Sequence, residues 1–182
     1  MKEQITNALL SRYKRYKQNN NDESLQNCIK AAEKMLKNTK YASINSQGDN
    51  GWCSSRLIQP FIDKEDPSQF SLWFGTATQS RKAAEIWNNP KVTLAFKNTK
   101  EDANLVIYGH AVIETDPEIK KHYWKKLLKL FFPNGPLAED YAVVRIQAQR
   151  IEIINFKRNI IPEPFGLKAV VLLNNQGQWK IA

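Results

Sequence analysis

The chain has 182 residues, a length that fits one domain able to bury a sizeable core without disulfides or metals. With 42% hydrophobic and 10% aromatic residues it has the make-up of a globular protein, and no apolar run approaches the roughly 20 residues that span a bilayer, so no membrane partner is expected. Lys and Arg outnumber Asp and Glu by 27 to 18, a net charge of +9 that raises nucleic acid as a partner; the lysines are strung along polar faces of predicted helices, however, which argues against that class and leaves an affinity for anions.

The opening MKEQITNALLSRYKRYK is charged throughout and lacks the apolar core and cleavage site of a signal peptide, so the expected compartment is the cytoplasm. Ile5, Leu9 and Tyr13 share one face of a first helix, which NNND at 19–22 interrupts. Asp22 is the expected cap of a second helix, along which Leu25, Cys28, Ile29, Ala32, Met35 and Leu36 form an amphipathic stripe. Cys28 and Cys53 are the only cysteines; with no CxxC pair and too few companion ligands for zinc, they are expected to be reduced, partly buried thiols, and no metal is expected.

From Lys40 the period changes to that of strands. KYASINS and WCSSRLIQPF flank QGDNG and read as a β-hairpin, with Gly48 and Gly51 supplying turn conformations that other residues resist. The turn-forming KEDPSQ leads into a third strand, FSLWFGT. A short helix at 80–88 is stopped by NNP, and KVTLAF alternates Val92, Leu94 and Phe96 onto one face. NLVIYGHAVIE is a long strand in which Gly109 marks a bend or a close approach. Asp116 caps and Pro117 opens a helix bearing Ile119, Tyr123, Leu127, Leu130 and Phe131, ended by PNGP. YAVVRIQAQRIEIINF supplies one long bent strand or two short ones, NIIPEPFG is a loop, and KAVVLL with QWKIA forms a closing hairpin around NNQG. Six or so strands of mostly hairpin connectivity, with helices at the periphery, give a mainly β fold of α+β type, a small antiparallel barrel in preference to a doubly wound sheet.

One feature of this layout calls for a ligand. In LWFGTATQSRKAAEIW an aromatic strand runs into a hydroxylated turn, and Arg81 and Lys82 then stand at the start of the predicted helix. A helix N-terminus is already partially positive, so cations there cost up to about 1 kcal/mol unless an anion offsets them. No GxGxxG, GxxxxGK[ST], HExxH or GxSxG motif occurs, and neither His110 nor His122 has an acid or thiol beside it in sequence, so no catalytic residue is identified.

SSRLIQPF, then LWFGTATQSRKAAEIWNNPKVTLAF, then NLVIYGHAVIETDPEIKKHYW resemble, in order and spacing, the pyridoxamine 5'-phosphate oxidase superfamily and within it the branch called general stress protein 26. The resemblance covers about residues 30 to 156. It implies a six-stranded antiparallel split β-barrel of the FMN-binding type at 39–158, with the two helices of 1–38 packed on it and a C-terminal extension at 159–182, all one structural domain. It also implies a homodimer with FMN at the subunit interface. By the same resemblance Ser80, Arg81 and Lys82 hold the flavin phosphate, and Arg56 lies at the phosphate or ring edge with the backbone of Leu57 and Ile58 along the ring. Gly75 and Thr76 line the ribityl chain, Gly75 standing where the oxidases commonly carry tyrosine, and Asn104 takes the place of a glutamine that bonds the ring.

The resemblance implies flavin redox chemistry on a small-molecule substrate in a stress-related setting. Oxidation of pyridoxamine phosphate is not implied, because the oxidases carry an Arg-x-His near the C-terminus where this chain reads NFKRNIIPEPFGLKAVVLL. The alternatives are a non-enzymatic binder of flavin, haem or another anionic small molecule, and a basic nucleic-acid module, which requires aromatics exposed among its cations.

Overall fold

The computed structural model describes residues 2–48, 51–62 and 69–182. Two helices, α1 (Lys2–Asn19) and α2 (Leu25–Asn38), precede a hairpin of β1 (Ala42–Gln47) and β2 (Cys53–Ile58) and a two-residue β3 (Phe61–Ile62). There follow β4 (Ser71–Ala77), α3 (Arg81–Asn88), β5 (Lys91–Asn98), β6 (Ala103–Glu114) and α4 (Pro117–His122). A 3-10 turn (Lys126–Leu130) leads to β7 (Tyr141–Asn155), and β8 (Val170–Asn175) and β9 (Gln178–Ile181) close the chain.

All pairings are antiparallel, in the order β2-β1-β5-β6-β7-β4-β3, with β8 on β7 and β9 on β8. Among the described residues the sheet has nine strands, not six, and its ends β2 and β3 do not pair with each other, so hydrogen bonding does not close it. The additional strands have a simple origin. Phe61 and Ile62 pair with Trp73 and Leu72, and the C-terminal hairpin joins the main sheet through β7. The choice between one long strand and two short ones falls to one: β6 runs along one edge of β7, while β4 (opposite 141–147) and β8 (opposite 150–153) share the other.

Gly109 serves a close approach. Tyr108 pairs with Arg150 and Gly109 with Ala148, which leaves Gln149 as a bulge. A Cβ on Gly109 would lie 2.5 Å from the Gln147 carbonyl oxygen and 3.0 Å from the Ile146 side chain. Gly109→Ala is therefore expected to destabilise by about 2 kcal/mol or more and to lower Tm by roughly 4–8 °C in calorimetry. An unchanged Tm would show that the bulge relaxes freely.

The main core joins the buried stripe of α2 (Cys28, Ala31, Ala32, Met35, Leu36) to Ile44, Leu72, Phe74, Leu94, Leu105, Ile107, Ile146 and Ile151 of the sheet. Cys28 is fully buried, its thiol pushed up to about 12 mainly by that burial, whereas Cys53 is exposed, so the two thiols are not alike. A second, aromatic cluster of Trp73, Phe132, Tyr141 and Val143 takes in Phe61, Tyr123, Trp124 and Leu128. Strand alternation divides β4 between the two, with Leu72 and Phe74 turned to the main core and Trp73 to the aromatic cluster.

Two local expectations change. The cap of α2 is Ser24, whose Oγ accepts the Asn27 N–H at 3.4 Å; Asp22 is held back because its own N–H bonds the Asn159 carbonyl at 2.7 Å, and its carboxylate accepts the Ser24 N–H instead. The helix opened by Pro117 stops at His122, since Tyr123 stacks on Trp73 at 3.9 Å while Trp124 meets Tyr141 edge-on at 5.0 Å. Consecutive residues of a continuous helix point about 100° apart, so both rings reach one cluster only by leaving the helix. α1 meets the rest of the chain near its C-terminal end, where Lys17 Nζ donates to the Phe156 carbonyl and Tyr13 touches Phe165, while Ile5, Leu9 and Leu10 are exposed. In the first hairpin turn Gly51 has φ +78°, the conformation expected of it, and the Gly48 N–H bonds the Trp52 carbonyl; the turn expected at 64–69 lies, apart from Gln69, outside the described residues.

Candidate functional site

β4 delivers the chain through a tight turn to the N-terminus of α3. Ser80 is the N-cap: its Oγ accepts the Ala83 N–H at 3.2 Å and lies 3.2 Å from the Thr76 Oγ1, and Thr76 itself is buried. No acid occupies the first turn, which holds Arg81 and Lys82, whose own N–H groups lack acceptors within the helix.

Lys82 is half-buried, its Nζ 5.3 Å from the centroid of the Phe74 ring, and it has no carboxylate partner among the described residues. Burial first, and the Arg56 charge second, push its ammonium below the ordinary lysine value. Arg81 is mostly exposed and sets its Nε 3.5 Å from Glu85.

Glu85, 5% exposed, is the centre of this corner. It accepts hydrogen bonds from Ser46 Oγ (2.7 Å), Ser54 Oγ (2.8 Å) and the Arg56 guanidinium, and Arg56 also donates to Ser46 Oγ at 2.6 Å. Burial alone would raise its carboxyl, but the bonds from Ser46, Ser54 and Arg56 together with the Arg56 charge prevail and hold it at about 2. Arg56 and Arg81 thus share a single carboxylate and Lys82 has none among the described residues, which leaves a positive excess at a helix N-terminus. Cations, a hydroxyl pair and free N–H groups form a donor set suited to a doubly charged oxyanion such as a phosphate monoester.

The structure brings together Arg56, Thr76, Ser80, Arg81 and Lys82. It does not bring Leu57, Gly75 or Asn104 to the same place. Arg56 shares a register row with the buried Ile44, Leu94 and Ile107, so its face is the core face; Asn104, next to buried Leu105, and Leu57, exposed beside buried Ile58, lie on the opposite face. Gly75 looks toward the aromatic cluster, where a Cβ would meet the Tyr141 ring at 3.0 Å and Leu128 at 3.4 Å. Tyr141 from β7 fills the space that a side chain at 75 would need.

Glu85, Ser46 and Ser54 escaped the reading of the sequence. Glu85 is the only acid between Asp66 and Glu101 and stands four residues after Arg81, and the Ser54/Arg56 alternation puts both on one strand face. That pattern was the available signal.

A family model described as "Pyridoxamine 5'-phosphate oxidase like" matches residues 28–169. No curated protein matches the chain at a significant level. Among solved structures, one titled as related to general stress protein 26 (pyridoxinephosphate oxidase family), from Clostridium acetobutylicum, is 18% identical with a TM-score of 0.66, over 84% of this chain and 96% of that one. General Stress Protein 26 from Bacillus anthracis is 22% identical with a TM-score of 0.58, over 70% and 93%. A pyridoxamine 5'-phosphate oxidase-related, FMN binding protein from Nostoc punctiforme is 14% identical with a TM-score of 0.63, over 82% and 89%. At these identities the three are likenesses of fold.

Proposed function

This chain belongs to the pyridoxamine 5'-phosphate oxidase like family, and we propose that it binds FMN, with the phosphate on Ser80, Arg81, Lys82 and Thr76, and acts as a cytoplasmic flavin-dependent oxidoreductase on a small-molecule substrate. The observation that carries this reading is Lys82, a half-buried cation at a helix N-terminus, desolvated and without a carboxylate partner among the described residues. A bound phosphate monoester supplies the missing negative charge.

Arg56 acts behind that contact. Its guanidinium is held by Glu85 and Ser46, so it fixes the corner electrostatically while Lys82 and the α3 N–H groups face the ligand. Bound FMN supplies the electron chemistry, and the protein positions the ring and tunes its potential. The flavin-binding unit is residues 39–158, read as a split barrel. The segment after Asn155 reads FKRNIIPEPFG in place of the oxidases' Arg-x-His, which speaks against pyridoxamine phosphate as the substrate. The visible spectrum of the purified protein tests the cofactor: oxidised-flavin bands are expected, and a Soret band or a colourless preparation that takes up no added FMN would overturn the assignment.

We infer further that the protein is a homodimer with FMN at the interface. Arg56 and Asn104 lie on opposite sheet faces, so one chain does not gather all the predicted ligands, and a second copy supplies the other face. Of the apolar residues after α4, Phe132 is turned inward, while Leu127, Leu130 and Phe131 are 71%, 77% and 72% exposed, a patch suited to a partner. Sedimentation at micromolar concentration should give a dimer. A monomer carrying flavin would refute this.

A further inference from the structure

The spread of lysines along the sequence argues against nucleic acid, but the fold gathers five of them at one end of the sheet. Lys34 and Lys40 at the end of α2, Lys97 near the end of β5, Lys100 in the turn that follows it and Lys157 after β7 line one open groove of about 760 Å³. Its position is fixed by backbone contacts. The Lys157 N–H bonds the Glu101 carbonyl at 3.2 Å, and the Asn98 side chain accepts the Lys100 N–H at 3.1 Å, so the turn and the segment after β7 form one rim.

The groove's one acid is already engaged. Glu101 is buried, accepts from Asn155 Nδ2 at 2.9 Å, and lies 3.6 Å from Lys34 and 3.8 Å from Arg158. The Asn155 bond first, and then the Lys34 and Arg158 charges, hold its carboxyl below the ordinary value against the opposing effect of burial. Lys40, Lys97, Lys100 and Lys157 have no carboxylate partner among the described residues. Proximity to the C-terminal end of α2 explains Lys34 and Lys40 by the helix dipole, but it does not explain Lys97, Lys100 or Lys157. Tyr41 stands in the same groove, 45% exposed, with Lys40 Nζ 5.1 Å from its ring centroid. An aromatic ring exposed among lysines is the combination that single-stranded nucleic acid requires and that the sequence alone does not show.

We propose that this groove binds a nucleotide phosphate chain, the lysines taking successive phosphates and Tyr41 stacking a base. The source is a free nucleotide or a single-stranded nucleic acid, which share that chemistry. The groove is separate from the Arg81–Lys82 corner, and the proposal does not depend on flavin binding.

The experiment uses the full chain with a fluorescein-labelled oligothymidylate followed by anisotropy, and ATP as competitor. Lys97→Glu/Lys100→Glu/Lys157→Glu is expected to weaken binding about tenfold or more and to flatten its salt dependence by about two in log–log slope. Tyr41→Leu is expected to weaken binding about fivefold or more with the salt slope retained. Arg81→Ala/Lys82→Ala should leave binding unchanged. Displacement by ATP at concentrations near its own Kd assigns a free nucleotide, and retention of the oligomer assigns nucleic acid; either supports the groove. The proposal fails if neither probe binds at about 50 mM salt, where phosphate contacts are strongest. It also fails if the triple variant binds like wild type with an unchanged circular dichroism spectrum, or if the Arg81/Lys82 variant alone abolishes binding.

Discussion

Replacing Arg81 and Lys82 together with alanine is expected to lower FMN affinity by about two orders of magnitude or more, since each charge-assisted contact to a phosphate typically contributes about 1.5 to 3 kcal/mol. The two contributions are unequal. Arg81 is mostly exposed and already lies near Glu85, so water and a carboxylate dilute its effect; Lys82 is half-buried and lacks a carboxylate partner among the described residues, so Lys82→Ala alone should account for most of the loss. Folding should survive, because Ser80 still caps α3 and removal of two cations relieves the helix N-terminus. Isothermal titration with FMN and with riboflavin separates the phosphate from the ring. Wild type is expected to prefer FMN strongly, and the double variant should lose most of that preference while its affinity for riboflavin stays put. Raising salt should weaken wild-type binding only in part, since a phosphate beside a half-buried lysine is screened less than one at an open surface. A double variant that binds FMN as tightly as wild type reduces the two cations to solvated residues and removes the main support for the flavin reading.

How much of this was legible before folding depends on the range of the interaction. The helix start at Ser80, the apolar alternation of Val92, Leu94 and Phe96 and the Gly51 turn are local, and each is read from a few neighbouring residues. The corner around Glu85 is not. Its carboxylate faces inward only because α3 lies against β1 and β2, so Ser46 and Ser54, some 30 to 40 residues away in sequence, become its donors. The helix opened by Pro117 is shorter than expected for a related reason: its periodic apolar residues matched a longer helix, but the aromatic cluster around Trp73 and Tyr141 demanded two consecutive rings, and tertiary packing outweighed local propensity beyond His122. Asn104 illustrates a third limit. Spacing from Gly109 fixes its position along β6, but which sheet face it occupies follows from the register, and that face is not the one bearing Arg56.

Glu85 also gives the second large effect, with opposite signs for stability and binding. Glu85→Gln keeps the shape of the side chain but puts an NH2 where one of the two oxygens accepting from Ser46 and Ser54 stood, and leaves Arg56, mostly buried, without its counter-charge. Breaking one side of a buried pair typically costs about 3 to 5 kcal/mol, so urea denaturation at pH 7 should show a loss of that order with an unchanged m-value. The pH dependence identifies the cause. The carboxyl is held at about 2, below its ordinary 4.5, so the stability it contributes is fully present above pH 4.5 and is lost as the pH falls toward 2. A depression of that size corresponds to about 3 kcal/mol, which means the gap between wild type and Glu85→Gln should narrow by about that amount from pH 4.5 to pH 2. FMN affinity should move the other way. With the carboxylate gone, Arg56 and Arg81 no longer spend their charge on it, and the corner presents three uncompensated cations to the phosphate, so binding should tighten several-fold by about 1 kcal/mol. A variant as stable as wild type, with a parallel pH profile, would mean that Glu85 is not the anchor of this corner. One that loses both stability and FMN affinity would mean that Arg56 must stay held by Glu85 for the phosphate site to form.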